Sequence, residues 1–122
     1  MGERVPEVLV VDDDPEVART IERALRGKAR VTIESSGRAA LSRFAQGEQF
    51  ELVLCDVMMP EMTGTELYDK ARALDPGVVG AWVFVTGGAT PGERARVAAS
   101  GARCLAKPFV LADLQALLRS KR

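Results

Sequence analysis

Three aspartates stand in a row, Asp12, Asp13 and Asp14, directly after the apolar run "VLVV" at 8–11. Asp56 follows "LVLC" at 52–55, Thr86 follows "WVFV" at 82–85, and Lys107 follows "CLA" at 104–106. Crowded carboxylates repel, so either one is protonated or a cation sits among them. The chain has no His, and oxygen ligands without His or Cys favour a hard cation. Mg2+ fits: it takes one or two carboxylates, keeps several waters and completes its shell with phosphate oxygens. One carboxylate then remains as a nucleophile. Asp56, alone after its run, is the candidate, because aspartate can attack phosphorus to give an acyl phosphate. Lys107 would act as a point charge on the phosphoryl oxygens and Thr86 as a hydrogen-bond donor to another. Singly, each is more ordinarily a solvated residue or a cap. Their shared position after apolar runs is what points to a site.

Positioning such a set needs a sheet. The apolar runs at 8–11, 31–33, 52–55, 82–85 and 104–106 read as strands, and three are continuously apolar, as in parallel strands covered on both faces. Between them lie amphipathic segments. Val17, Ile21, Ala24 and Leu25 share one helical face, as do Ala40, Leu41, Phe44 and Ala45. Leu67, Ala71 and Leu74 repeat the pattern, and Leu111, Leu114, Leu117 and Leu118 close the chain. The segment Pro91–Ser100 is weaker, resting on Ala95, Ala98 and Ala99, which predicts a loosely docked helix. Gly27, Gly47, Gly77 and Gly101 fall at helix ends, where a positive φ is often required. Five β-α units in series predict an α/β fold, a (βα)5 doubly wound parallel sheet, with ligands outside the carboxyl ends of the strands.

Composition sets the frame. At 122 residues the chain fits one domain over 1–122, large enough for a core without metal or disulfide. Lys plus Arg equals Asp plus Glu, so no nucleic-acid footprint is evident, and no apolar run is long enough for a bilayer. "MGERVPE" lacks a signal-peptide core, so a cytoplasmic protein with no membrane partner is expected. Cys55 and Cys104 are expected to be reduced core residues.

The motifs "VVDDDP", "LVLCDVMMPEMTG", "FVTGG" and "AKPF", in this order and spacing, resemble the receiver domain of bacterial two-component response regulators across essentially the whole chain. The resemblance implies the flavodoxin-like strand order 2-1-3-4-5. It implies that Asp12 and Asp13 hold Mg2+ with Asp56 and the backbone carbonyl of Met58. Asp56 would be the phosphoacceptor, Thr86 the switch hydroxyl, and Lys107 the family lysine followed by a cis peptide to Pro108. Pro60 and Gly64 fit the loop after Asp56. The implied function is a switch that takes a phosphoryl group from a partner phosphohistidine, on a histidine kinase or histidine phosphotransfer protein, and changes conformation. The domain could be a free regulator or the receiver of a hybrid kinase. It is not expected to turn over a substrate beyond its own phosphorylation and dephosphorylation.

Two departures stand out. Cys104 occupies the place where the family usually has an aromatic residue that moves with the threonine, so signalling is expected to rely on the loop after Thr86 and the helix that follows it. Met58, Gly87 and Gly88 offer no polar group to orient attacking water, which predicts a slowly hydrolysed phosphoryl group. A Cys55–Cys104 disulfide is not expected, because two strand spacings, about 9–10 Å, separate them in the implied order. "LRSKR" reads as a helix C-terminus favourable to the dipole or as the start of a linker. Asp14 is better read as a helix cap than a ligand, with Pro15 and Glu16 in the first turn. The competing functions are a phosphatase or phosphotransferase acting covalently through Asp56 on metabolites, and an unphosphorylated interaction module. The first lacks a second Asp in the "VMMP" that follows Asp56 to serve as acid and base.

Overall fold

The computed structural model describes residues 4–119. Five parallel strands, β1 (Glu7–Val11), β2 (Arg30–Glu34), β3 (Leu52–Asp56), β4 (Trp82–Thr86) and β5 (Arg103–Ala106), form one sheet in the order β2-β1-β3-β4-β5. The helices are α1 (Pro15–Ala24), α2 (Gly37–Ala45), α3 (Gly64–Leu74), a single turn α4 (Val78–Ala81), α5 (Pro91–Ser100) and α6 (Leu111–Arg119). The order is the one the resemblance implied. No helix among the described residues is long and apolar enough to cross a membrane.

Strand alternation divides the core in two. Leu9, Val11, Val53, Cys55, Trp82 and Phe84 point to the face covered by α2, α3 and Val97 of α5. Val8, Val10, Leu52, Leu54, Val83 and Val85 point to the opposite face, under Ile21 and Leu25 at α1 and Leu114 of α6. The three central strands are buried on both faces, which is why their sequences are continuously apolar. Each fully buried aliphatic side chain contributes about 1.5–3 kcal/mol over the exposed state. Edge strands β2 and β5 are only partly buried.

Caps fix where the helices begin. Asp14 has extended backbone and its Oδ1 accepts from the N–H of Glu16 at 2.9 Å, with Pro15 as the first helical residue. Ser36, Thr63 and Thr90 do the same for α2, α3 and α5.

Several sequence expectations need correction. Ala95, Ala98 and Ala99 are exposed, and α5 instead buries Val97. Leu74 and Leu111 are also exposed, lying off the buried stripes of α3 and α6. Gly77 does not end a helix with positive φ; at φ −66° it opens the α4 turn, which the repeat pattern did not anticipate. Gly27, Gly47 and Gly101 do take positive φ. Cys104 is exposed rather than core, because it sits on edge strand β5. Cys55 is buried as expected. Both cysteines register with Phe84, one on each side, so β4 separates them. Residues 120–122, most of the basic "LRSKR" ending, lie outside the described residues.

Candidate phosphoryl-transfer site

The strand register delivers the predicted residues to one place. Val11 pairs with Cys55, so Asp12 emerges beside Asp56. Asp56 pairs with Val85, and Thr86 pairs with Ala106, so Thr86 and Lys107 emerge from the next two strands. Lys107 N–H also donates to the Thr86 carbonyl at 2.9 Å, joining the two ends.

Asp12, Asp13 and Asp56 each offer a carboxylate oxygen within 4.8 Å of the others. Asp12 is buried, Asp56 half-buried and Asp13 exposed. Lys107 Nζ lies 3.4 Å from Asp12 Oδ2 and 3.7 Å from Asp56 Oδ1, so one ammonium faces the cluster. Asp12 Oδ1 accepts from the N–H of Asp14 at 2.9 Å, and Asp56 Oδ1 from that of Val57 at 2.9 Å. Burial, helped by the Asp12 carboxylate, still pushes Asp56 up to about 6, against the opposing pull of Lys107. Burial likewise raises Asp12. Three carboxylates and one lysine leave an excess of negative charge, and the donor set is all oxygen. Such a cluster can hold a metal ion, and its chemistry fits a hard divalent cation.

Asp56, Met58, Thr86, Gly87, Gly88, Lys107 and Pro108 line a cavity of about 440 Å³. The Thr86 hydroxyl has no hydrogen-bond partner among the described residues, and the Met58 side chain is exposed. The Lys107–Pro108 peptide is cis, as the resemblance implied. Asp14 is turned to its helix and is not part of the carboxylate group. Cys104 is no activated thiol: partial burial raises it above the ordinary range.

Sequence reasoning missed Thr65 and Glu93. The Thr65 hydroxyl donates to Glu93 Oε1 at 2.6 Å, tying the start of α3 to the start of α5 behind the site. The repeated T-x-x-E pattern at Thr63 and Thr90 was the available signal.

Known proteins share this fold and sequence pattern. The family model for the response regulator receiver domain matches residues 8–119. The response regulator receiver protein CpdR of Brucella abortus is 37% identical over 109 residues, 88% of each chain. The probable transcriptional regulatory protein TcrX of Mycobacterium tuberculosis is 33% identical over 117 residues, which is 92% of this chain but 49% of that protein. The chemotaxis protein CheY4 of Vibrio cholerae superposes with a TM-score of 0.83 at 28% identity, covering 98% of this chain and 100% of that one. With the strand order as implied and the family model spanning nearly the whole chain, the chain belongs to the response regulator receiver domains, the phosphoacceptor signalling switches of two-component systems.

Proposed function

We propose that Asp56 is the phosphoacceptor and that its donor is a phosphohistidine on a histidine kinase or histidine phosphotransfer protein. A carboxylate oxygen of Asp56 attacks phosphorus, the P–O bond forms as the P–N bond breaks, and the imidazole nitrogen leaves with the electron pair and takes a proton. The observation that carries this reading is the convergence of Asp56, Thr86 and Lys107 on one open cavity beside a carboxylate cluster. Lys107 neutralises charge on the phosphoryl oxygens, and Thr86 donates to one of them. Asp12, Asp13, Asp56 and the Met58 carbonyl would hold Mg2+. When bound, Mg2+ supplies positive charge at the phosphoryl oxygens.

Turnover of metabolite esters is disfavoured, because the residue two after Asp56 is the thioether Met58, which cannot protonate a leaving group. Met58, Gly87 and Gly88 also leave attacking water without an orienting group, so the phosphoryl group on Asp56 is long-lived. Action in the cytoplasm, without nucleic-acid or membrane partners, completes the reading. The test is incubation with acetyl phosphate and Mg2+, read by intact mass. One added phosphoryl group in wild type and none in Asp56→Asn is expected. Equal labelling of both would overturn the assignment.

A further inference from the structure

We propose that Glu93 is a two-position carboxylate that sets where α5 lies beside the site, with Thr65 and Thr90 as its alternative partners. This rests on the phosphoacceptor reading of Asp56. The pattern T-x-x-E occurs twice, opening α3 after the Asp56 loop and α5 after the Thr86 loop. At α3 the capping box is complete: Thr63 Oγ1 accepts from Glu66 N–H at 3.2 Å, and Glu66 Oε1 accepts from Thr63 N–H at 2.9 Å. At α5 only half of it forms. Thr90 Oγ1 accepts from Glu93 N–H at 3.2 Å, but the Glu93 carboxylate crosses to α3 and accepts from the buried Thr65 hydroxyl at 2.6 Å. That length is typical of a charge-assisted bond. The N–H of Thr90 has no partner among the described residues.

Glu93 Oε2 lies 3.5 Å from Arg96 Nη1 within α5, which leaves Oε1 with two local partners of similar kind, the Thr65 hydroxyl and the Thr90 N–H. Only the first ties α5 to α3. Little else holds this helix. Val97 is its one buried apolar side chain among the described residues. The Tyr68 hydroxyl donates to the Ser100 carbonyl at 3.0 Å, and the Arg96–Asp69 pair at 3.7 Å is exposed and weak. On β5, Cys104 and Ala106 are small and exposed, so no ring from that strand packs against α5.

Gly87, Gly88 and Ala89 join Thr86 to Thr90. Movement of Thr86 toward a phosphoryl oxygen on Asp56 carries the Thr90 N–H with it. Glu93 then closes its own capping box, releases Thr65 and frees α5. The clasp on Thr65 thus opposes phosphorylation, and by linkage its removal favours the phosphorylated arrangement.

The test uses Thr65→Val, a near-isosteric change that removes the clasp, and with it the 3.1 Å contact of the Thr65 hydroxyl with Thr63 Oγ1, while the Thr63–Glu66 capping box is kept. The full chain with Mg2+ is titrated with beryllium fluoride as phosphoryl mimic and followed by amide NMR. Mimic affinity is expected to rise about three- to tenfold, the worth of one net hydrogen bond. Without mimic, exchange of the Thr90 amide is expected to slow in Thr65→Val and to return to at least the wild-type rate in Thr65→Val combined with Glu93→Ala. An unchanged affinity or an unchanged Thr90 exchange rate overturns the proposal, even if Thr65→Val lowers the unfolding midpoint. Absence of an Asp56-dependent mimic response in wild type would instead overturn the phosphoacceptor reading, whereas Thr90 exchange judges the two positions independently of it.

Discussion

Gly64 abuts the backbone of Asp56: a Cβ at Gly64 would stand 2.1 Å from the Asp56 carbonyl oxygen and 3.0 Å from Val57 Cα. The same residue donates its N–H to the Val57 carbonyl at 2.8 Å. The start of α3 is thereby pressed against the end of β3, and the obstacle to any side chain is backbone, which cannot rotate away. Gly64→Ala should cost about 1–3 kcal/mol, the usual range for overpacking. It should also slow acetyl phosphate labelling at least about tenfold at temperatures where the variant is folded, because Asp56 itself is displaced. Urea unfolding and labelling rate are the measurements. Wild-type values in both would show that the loop yields.

Asp56 makes the site a source of instability when no cation is bound. Its folded value of about 6 lies above the ordinary 3.8, with burial the main cause and Asp12 the second. Between these values the folded state binds more protons than the unfolded one, so stability falls as pH rises through roughly 4 to 6 and stays lower above it. Asp56→Asn removes the charge. In chelator-treated protein it should raise stability by about 1–3 kcal/mol at pH 7 and by little at pH 3.5, at about 1.4 kcal/mol per pKa unit. Urea titrations at the two pH values decide this. A gain of equal size at both would refute the electrostatic origin.

The site was more legible in the sequence than the helices that serve it. Asp12, Asp56, Thr86 and Lys107 each follow an apolar run, and a central parallel strand exposes chemistry only where its apolar run stops. Cys104 was misplaced because its run looks like the others, yet β5 is an edge strand covered less completely. The face of α5 was misread because alanine suits either side of a helix, while one valine, Val97, makes the buried contact. Gly77 was misread because a single-turn helix has no periodicity to reveal it. The Thr65–Glu93 bond joins residues on different helices, and a local motif reports only its local half.

Asp13 and Asp14 are neighbours with separate tasks. Asp13 offers an oxygen to the carboxylate group, while Asp14 Oδ1 accepts from Glu16 N–H at the start of α1. Asparagine caps as well as aspartate, so Asp14→Asn should leave Mg2+ affinity within about twofold and stability nearly unchanged. Asp14→Ala should cost about 1 kcal/mol. Asp13→Asn should weaken Mg2+ binding at least about tenfold by removing one charge from the donor set. Titration calorimetry with Mg2+ measures the first and third, and thermal unfolding the second. Equal losses of Mg2+ affinity in the two asparagine variants would overturn the division.

Lys107 does two opposed things. Its ammonium, 3.4 Å from Asp12 Oδ2 and 3.7 Å from Asp56 Oδ1, relieves repulsion between the carboxylates. It also stands as a like charge beside any divalent cation they hold. Lys107→Met keeps the apolar stem and removes the charge. Without cation, Asp12 and Asp56 then lack their facing ammonium, and stability at pH 7 should fall by about 1–3 kcal/mol. Mg2+ affinity should rise several-fold, because nothing cationic competes for the Asp12 oxygen. Labelling of Asp56 by acetyl phosphate should nonetheless fall by about tenfold or more, because no ammonium meets the phosphoryl oxygens as charge builds there. Tighter Mg2+ with slower labelling separates a group that aids transfer from one that only aids metal binding. Weaker Mg2+ binding in Lys107→Met would show that the lysine organises the carboxylates more than it repels the cation, and would overturn this account.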